Sequence, residues 1–291
     1  MRILILGGAG MLGHRLVADL KKDFEVWATL RGSLRAYEQY ELFDPARTLS
    51  GIDVLNADAV TEVMARVRPD VVINCIGIIK QLASAKDPLL SVSINSLLPH
   101  RLHRLCQASG ARLIHFSTDC VFSGRTGHYT EDDPSDALDL YGRSKFLGET
   151  AGEGALTIRS SIIGHELQSA TGLIEWFLSQ RGGKVQGYRQ AIYSGFTTIE
   201  MARIVRMMLT AHPEVSGTVQ VSAEPINKYD LLTLVRRAYD LAIEVVPDDT
   251  VRIDRSLDSS RFRGVTGYTP PSWPHMIEEM AESRCSTTKP S

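Results

Sequence analysis

The chain has 291 residues, a length near which single cores stop growing and proteins begin to divide into domains. Its 43% hydrophobic and 23% charged residues are typical of an ordered globular protein and exclude extensive disorder. The formal net charge of -2, without a long basic run, argues against nucleic acid or an anionic membrane surface as a partner.

The amino-terminal segment and the cysteines indicate the compartment. MRILILGG lacks the apolar region and the cleavage site of a secretory signal, and no apolar run reaches the roughly 20 residues that span a bilayer. The four cysteines are scattered without a CxxC pair, which suits a reducing compartment and argues against structural zinc. We therefore expect a cytoplasmic protein and predict no metal ligands.

Short apolar runs alternate with longer amphipathic segments over the first part of the chain. The runs predict strands at residues 2–6, 24–30, 70–77, 111–117 and 155–160. The intervening segments predict helices at 11–20, 58–67, 93–108 and 141–150. Strands that are apolar on both faces and alternate with helices form a parallel sheet covered on both sides. The pattern predicts an α/β fold with a doubly wound parallel (Rossmann) sheet.

After about residue 164 the regular alternation of predicted strands and helices ends, and helices are predicted at 171–180, 199–211 and 228–240. We interpret this part as a smaller α/β lobe over the carboxyl edge of the sheet, where open α/β sheets bind ligands. We therefore assign residues 1–164 to a cofactor-binding domain with the catalytic residues, and residues 165–291 to a substrate-binding lobe. Chain crossings between the two lobes are expected.

A glycine-rich turn separates the first strand from the first helix in ILILGGAGMLGHRLV. Gly7 permits a tight turn, Gly10 lets the backbone approach a pyrophosphate, and Gly13 allows the helix to pack closely on the strand. The helix start at Met11 and Leu12 supplies unpaired N–H donors and positive dipole. Such a turn can need glycine for its backbone angles alone, but its position at the start of a βαβ unit favours dinucleotide binding.

The end of the second strand indicates which dinucleotide binds. An acidic residue there would accept hydrogen bonds from the adenosine ribose, but WATLRGS supplies Arg31 and Ser33 instead. This favours NADP (NADPH), with NAD as the alternative if Arg31 is an ordinary solvated residue. In GIDVLN, Asp53 and Val54 lie near the next strand end, where a carboxylate could meet the adenine amino group.

Three polar side chains follow the fifth strand. In FSTDCVFSG, Thr118 can share a hydrogen bond with a substrate oxygen. In LYGRSKFLGE, Tyr141 and Lys145 are four apart and so are neighbours on one helix face. Tyr141 can protonate that oxygen, while Lys145 can lower the tyrosine pKa from about 10 and hold a nicotinamide ribose. Each residue has a structural alternative: Thr118 could be a strand-end cap, Tyr141 a packing residue and Lys145 a solvated charge. The glycine turn and these residues occur in order on successive strand–helix units of one sheet, which favours catalysis.

In these motifs the chain resembles the extended short-chain dehydrogenases/reductases, and within them it is similar to the dTDP-4-dehydrorhamnose reductase family. The matching stretches cover most of the first 165 residues: GGAGMLG, NCIG (74–77), SINSLLPHRLHRLC (93–106), STDCVFSG, YTEDDPSDALDLYGRSKFLGE and LTIRSSIIG (156–164). The resemblance implies Thr118, Tyr141 and Lys145 as the catalytic set, with hydride passing from NADPH to a keto carbon.

The resemblance also implies contacts around that set. Cys75, Ile76 and Gly77 would lie along the cofactor, Asn95 would brace the site, and the closing lobe would bind the nucleotide part of the substrate. Related 4,6-dehydratases carry a glutamate directly after the Thr-Asp pair, where this chain has Cys120. A cysteine is a poor substitute for that carboxyl group, so dehydration is disfavoured and reduction remains.

Other side chains are candidate substrate contacts. Lys80, in NCIGIIKQ, adds a cation near the substrate mouth, and Asp119 follows Thr118. In the second lobe, aromatic side chains could stack on a nucleobase and arginines could pair with a pyrophosphate. The alternative for each is core packing or solvation. These second-lobe candidates are Trp176, Arg189, Tyr193 and Arg261.

The expected activity is NADPH-dependent reduction of a nucleotide-linked 4-keto-6-deoxy sugar in polysaccharide biosynthesis, with a homodimer left open. One alternative is a nucleotide-sugar epimerase, or another carbonyl reductase, on the same scaffold. A second alternative is a non-catalytic regulatory subunit that binds the cofactor, because the resemblance extends to a regulatory subunit of methionine adenosyltransferase.

Overall fold

The computed structural model describes residues 1–285, except for the side chains of Ala83, Ser84 and Cys285. Strands and helices alternate along the first part of the chain. The strands are β1 Arg2–Leu6, β2 Glu25–Thr29, β3 Thr48–Leu49, β4 Val71–Asn74, β5 Arg112–Ser117, β6 Ala155–Arg159, β7 Ile162–Ile163, β8 Lys184–Tyr188, β9 Ala191–Tyr193, β10 Phe196–Thr197, β11 Gly217–Gln220, β12 Ile226–Asn227, β13 Glu244–Asp248 and β14 Ile253–Asp254. The α-helices are α1 Met11–Leu20, α2 Ala57–Val67, α3 Pro88–Ser91, α4 Leu98–Ser109, α5 Leu140–Leu147, α6 Leu173–Leu178, α7 Thr198–Thr210, α8 Lys228–Ala238, α9 Ser260–Thr266 and α10 Trp273–Cys285.

Seven strands form the central sheet, in the order β11-β6-β5-β4-β1-β2-β3. The pairs β1–β2, β1–β4, β2–β3 and β4–β5 are all parallel. The chain moves outwards from β1 in one direction to β3 and then crosses back to β4 on the other side. The predicted doubly wound parallel sheet is confirmed. Its strand order reverses between β1 and β4, so a crevice is expected at their carboxyl ends.

The core explains why these segments form strands and helices. Ile3, Leu4, Ile5 and Leu6 are successive residues of β1, and all are at most 1% exposed, as expected for a strand covered on both faces. In α1 the buried residues recur with helical spacing and form one face against the sheet. They are Leu12, Gly13, Leu16, Val17 and Leu20.

The helix predicted at 93–108 differs from the structure in one respect. Its first part, Val92–Leu97, is a π-helix that joins α3 to α4. Such π-helical turns are rare and occur frequently at functional sites. Asn95 lies within it and is 1% exposed. A wider turn at this point therefore carries a buried polar residue.

The chain folds into two compact units that interleave along the sequence. The first comprises Met1–Ser117, Leu138–Ile158 and Ile204–Thr218. The second comprises Thr118–Ala137, Arg159–Arg203 and the chain from Val219 onwards. The small sheets β12-β9-β14 and β13-β8 belong to the second unit. The predicted functional division at residue 164 stays a prediction. Among the described residues, no helix is both long enough and apolar enough to cross a membrane.

The contact between α5 and the π-helical segment gives a stability test. A Cβ atom on Gly148 would lie 1.8 Å from the Asn95 carbonyl oxygen, so Gly148→Ala must displace backbone. We expect a loss of about 2–3 kcal/mol in the free energy of unfolding, measured by denaturant titration. Gly264→Ala is the matched control, because a Cβ atom there meets nothing within 4 Å and the position is helical. The control should stabilise the protein by about 0.5 kcal/mol or leave it unchanged. Equal effects of the two substitutions would contradict this packing.

Candidate active site

The glycine turn after β1 is held by backbone geometry that excludes side chains. Gly7 has a φ of 80°, in the left-handed region. A Cβ atom on Gly7 would lie 2.8 Å from Ile76 Cγ1, and one on Gly13 would lie 2.1 Å from the Gly7 carbonyl oxygen. Helix α1 therefore approaches β1 closely, and the end of β4 approaches the turn. Glycine is required at both positions.

The end of β2 fixes the turn from the other side. The Gly7 amide donates to Thr29 Oγ1 at 3.2 Å, and the Gly8 amide donates to the Thr29 carbonyl oxygen at 2.9 Å. Gly10 is the N-cap of α1, and no side chain caps this helix start. The start of α1 at the switch point is thus left without a side-chain cap, which fits a pyrophosphate.

A buried amide shapes the turn after β4. Asn74 is 1% exposed; its Oδ1 accepts from the Ile76 amide at 3.1 Å, and its Nδ2 donates to His115 Nδ1 at 3.1 Å. His115 is buried in the neighbouring strand β5, and burial, together with the Lys145 charge, holds its pKa well below the usual range. The imidazole is therefore neutral. Sequence reasoning missed Asn74, although a polar residue at the end of an apolar strand was a visible signal.

Asn95 ties the loop after β4 to helix α5. Its Oδ1 accepts from the Ile78 amide at 2.8 Å, and its Nδ2 donates to the Ile78 carbonyl at 3.0 Å and to Ser144 Oγ at 3.1 Å. A Cβ atom on Gly77 would lie 3.5 Å from Asn95 Oδ1 and 4.0 Å from Lys145 Nζ. The segment that was predicted to follow the cofactor therefore passes directly beside Asn95 and the lysine.

Lys145 is a buried charged side chain of the first unit. It is 5% exposed, and its Nζ donates to the Phe116 carbonyl oxygen in β5 at 2.6 Å. Burial lowers its pKa to about 8, against the opposing effect of the Glu149 carboxylate. Tyr141 lies one helical turn earlier on α5 and is partly exposed. The ammonium thus sits at the carboxyl end of β5, next to the strand whose end carries residues 75–77.

Thr118 follows β5 and is the first residue of the second unit. It is 7% exposed; its hydroxyl accepts from the Cys120 amide at 3.1 Å and donates to Asp119 Oδ1 at 3.1 Å. Both the catalytic and the capping interpretation of this hydroxyl agree with these contacts. Asp119 is 6% exposed, so its carboxylate is buried directly beside the hydroxyl.

Two predicted substrate residues in the second unit are close to a group that the sequence did not single out. Tyr193 is 4% exposed, and the Lys228 ammonium lies 4.0 Å from the centre of its ring. Burial raises the Tyr193 pKa well above the usual value, and the Asp119 charge adds to this shift. Lys228 begins an ordinary amphipathic helix, and no sequence signal separated it from the other surface lysines.

The remaining predicted cofactor residues lie near the ends of β2 and β3. Arg31 and Ser33 are exposed, and the Ser33 hydroxyl accepts from the Arg35 amide at 3.3 Å as the cap of a 3₁₀ helix. Asp53 is exposed and accepts from the Leu55 amide at 3.0 Å, while Val54 packs partly buried against the core. Arg31 and Ser33 are therefore accessible to a phosphate.

The remaining predicted substrate residues make surface contacts. Lys80 pairs with Asp139 at 2.7 Å, and Arg261 pairs with Asp132 at 2.8 Å. Arg189 holds Asp249 through two hydrogen bonds, one of them 2.9 Å from Nε to Oδ1. Trp176 is 40% exposed beside Phe177, with ring centres 6.5 Å apart. None of the described contacts joins these four residues to Tyr193.

A family model supports the resemblance that the motifs predicted. The RmlD substrate binding domain matches residues 1–164, more than half of the chain. The chain therefore belongs to this family, and the predicted resemblance to dTDP-4-dehydrorhamnose reductases is confirmed.

Individual relatives extend this result. The dTDP-4-dehydrorhamnose reductase of Streptomyces griseus is 34% identical over 152 residues, which cover 52% of this chain and 44% of that protein. The chain thus spans about half the length of the curated reductases it matches. Methionine adenosyltransferase 2 subunit beta of Mus musculus is 24% identical over 255 residues, covering 82% of this chain and 72% of that protein. The crystal structure of dTDP-4-dehydrorhamnose reductase from Bacillus anthracis with NADP has a TM-score of 0.80 at 20% identity, covering 97% of this chain and 99% of that one. This likeness shows the shared fold.

Proposed function

We propose that the protein is an NADPH-dependent reductase of a nucleotide-linked 4-keto-6-deoxy sugar. The observation that carries the proposal is the buried Lys145 ammonium, bonded to the Phe116 carbonyl one helical turn after Tyr141. A buried cation beside a phenol on one helix face favours the phenolate and so prepares the tyrosine for proton transfer. The names of the curated reductases in the family support the same reaction class.

The first unit has the parts that a dinucleotide needs. The start of α1, which has no side-chain cap, would hold the pyrophosphate, because the absence of side chains at Gly7 and Gly13 lets the helix pack closely on the turn. Residues 75–77 would lie along the cofactor. Exposed Arg31 and Ser33 would receive the 2′-phosphate, which favours NADPH over NADH. NAD remains the alternative cofactor. When bound, NADPH supplies the hydride that reduces the carbonyl carbon.

The chain's own side chains would manage the proton. Tyr141 donates the phenolic proton to the carbonyl oxygen as that oxygen gains negative charge. Lys145 stabilises the resulting phenolate and donates a hydrogen bond to the nicotinamide ribose. Thr118 shares a hydrogen bond with the same substrate oxygen. Burial of Lys145 strengthens its effect on a neighbouring charge, because the low local dielectric screens it less than water does.

The second unit would bind the rest of the substrate. Arg189 and Arg261 are already paired with carboxylates, so a pyrophosphate would have to displace Asp249 or Asp132. Asp119 and Tyr193 are buried polar groups and fit a sugar ring with hydroxyl groups better than the two arginines fit a pyrophosphate.

The long match to a methionine adenosyltransferase beta subunit favours regulatory binding as a second candidate function. Stoichiometric capture of a methionine adenosyltransferase together with no ketosugar turnover would favour that candidate.

Tyr141→Phe tests the proposed proton donor. We expect the rate of NADPH consumption with dTDP-linked or UDP-linked 4-keto-6-deoxyhexoses to fall at least about 100-fold, because a positioned general acid contributes about that much or more. NADPH affinity should change little. Stopped-flow absorbance measures the rate. Tyr37→Phe, which changes a ring packed 5.7 Å from Phe43, is the control and should retain turnover. Full turnover in Tyr141→Phe would reject the assigned acid.

The pH dependence of cofactor binding tests Lys145. Without the cofactor, the pKa of Lys145 is about 8. A ribose that accepts a hydrogen bond from the Lys145 ammonium favours the protonated form, so the pKa of Lys145 rises when the cofactor binds. Above pH of about 8, binding then takes up a proton, and affinity should fall by up to about tenfold per pH unit. Calorimetric titration of NADPH between neutral and alkaline pH measures this. Lys145→Met should bind more weakly and lose the slope. A wild-type affinity independent of pH would contradict the assignment.

A further inference from the structure

A polar cluster in the second unit has no role in the proposed hydride transfer. We define the Lys228 cluster as Asp119, Cys120, Tyr193 and Lys228. Asp119 and Cys120 follow the proposed catalytic Thr118 directly in the chain, so the cluster begins one residue from the group assigned to the substrate oxygen. Any ring bound at Thr118 therefore lies within reach of it.

Three strands bring the members of the cluster together. Strand β9, which ends at Tyr193, pairs with β14 on one side and with β12 on the other. The loop after Cys120 is bonded to β14 and the residue after it: the Asp254 amide donates to the Gly124 carbonyl at 2.8 Å, and Arg255 Nε donates to the Phe122 carbonyl at 2.9 Å. Strand β12 leads directly into Lys228, and Ile226 is the register partner of Tyr193.

The position of Lys228 is electrostatically unfavourable. It is the first residue of α8, whose amino-terminal end carries positive dipole and opposes a cation. Burial also lowers the pKa of Lys228, although Asp119 and Cys120 oppose this shift. The Tyr193 ring face, 4.0 Å away, compensates only in part. A residue that violates local preferences without full compensation is a marker of function.

One polar group of the cluster lacks a hydrogen-bond partner. The Tyr193 hydroxyl is buried and unpaired among the residues that the structure describes. The Lys228 ammonium, on a side chain that is only partly buried, contacts the ring face of the same tyrosine. Buried polar groups are nearly always satisfied, so the Tyr193 hydroxyl indicates a ligand with oxygen atoms. A sugar ring has such atoms.

The charges around the cluster separate an acid from a base. Burial, together with the Asp119 charge, raises the Cys120 pKa to about 12, against the opposing effect of Arg255. The thiol therefore keeps its proton at neutral pH. The Lys228 amine, in contrast, loses its proton more readily than an exposed lysine does. Together with the position of Cys120 two residues after Thr118 and the contact of Lys228 with Tyr193, these opposite shifts favour the thiol as the acid and the amine as the base.

We propose that Lys228 and Cys120 are a proton-transfer pair that inverts the carbon next to the substrate ketone, so that the protein both epimerises and reduces its sugar. The inference rests on the proposed function, because a ketone is what makes the neighbouring C–H bond acidic. It adds an activity that needs neither NADPH nor any other electron donor.

The reaction has two proton transfers. In its neutral form, which the lowered pKa makes more accessible, the Lys228 amine removes the proton from the carbon next to the ketone. The C–H electron pair becomes a C=C bond, and the carbonyl π pair moves onto the oxygen. The Thr118 hydroxyl gives up its hydrogen bond to Asp119 Oδ1 and donates to that oxygen instead. The Cys120 S–H then gives its proton to the other face of the same carbon, and the C=O bond forms again. The ammonium and the thiolate that remain exchange a proton through solvent, which restores both groups.

A thiol suits this step better than it suits dehydration. Water elimination requires an acid strong enough to protonate a departing hydroxyl group, and a cysteine with a raised pKa is too weak for that. The carbon of an enolate is a strong base and accepts a proton even from a weak acid. Cys120 can therefore replace the dehydratase glutamate without making the site inert.

Solvent deuterium tests the proposal. The enzyme, loaded with NADP so that reduction cannot occur, is incubated in D₂O with dTDP-4-keto-6-deoxyglucose and with its UDP-linked counterpart. NMR then follows deuterium at the carbons flanking the ketone and the appearance of an epimer. We expect both with the wild-type protein. Lys228→Gln should lose incorporation at least about 100-fold. The Cys120→Ala variant should still incorporate deuterium, because Lys228 returns a deuteron to the face from which it removed the proton. The variant should form no epimer.

Controls separate this activity from folding and from the proposed reduction. Lys184→Gln, which changes an exposed lysine paired with Glu244 in the same unit, should exchange like the wild type. The free energy of unfolding and the NADPH affinity are measured for every variant. No wild-type incorporation overturns the proposal, as does undiminished incorporation in Lys228→Gln. If the same wild-type preparation still oxidises NADPH with the ketosugar, the reductase assignment stands alone; if it does not, the reductase assignment fails as well.

Discussion

The close approach of Gly13 to the Gly7 carbonyl oxygen is the constraint on which the first unit depends. Any side chain at either position would separate α1 from β1 or displace the end of β4, as the short distances to the added Cβ atoms show. Because backbone meets backbone here, the start of α1 points its N–H groups at the switch point of the sheet. The buried Lys145 then lies at the end of β5, beside the strand that leads into Cys75, Ile76 and Gly77.

Local sequence signals predicted most of the fold. The helix predicted at 11–20 matches α1, and the strand predicted at 2–6 matches β1, because periodicity and glycine placement act over a few residues. The π-helix at Val92–Leu97 was not predictable in this way. Its geometry accompanies contacts of Asn95 with Ile78 and Ser144, which are 17 and 49 residues away. Tertiary contacts of this kind leave no periodic signal.

The candidate site shows the same division. The glycine turn, Thr118, Tyr141 and Lys145 belong to short motifs, and their interpretation as one site stays a prediction. Lys228 was missed because only the pairing of β12 with β9 brings it to Tyr193. Arg189 and Arg261 were chosen as charges that could meet a pyrophosphate, yet each is paired with a surface aspartate. Composition indicates which charges exist, but the fold decides which of them stay unpaired.

Two lysines with lowered pKa values connect the two proposed activities. Lys145 and Lys228 both lose part of their hydration, which disfavours the charged form of each side chain. One would assist a tyrosine that protonates oxygen, and the other would remove a proton from carbon. Both activities depend on a sugar ketone, and the first of them delivers a hydride to it. NADPH carrying deuterium at nicotinamide C4 makes this hydride visible. We expect NMR to find deuterium at the former keto carbon of the product; a reduced sugar without that label, or no reduced sugar, would contradict hydride delivery.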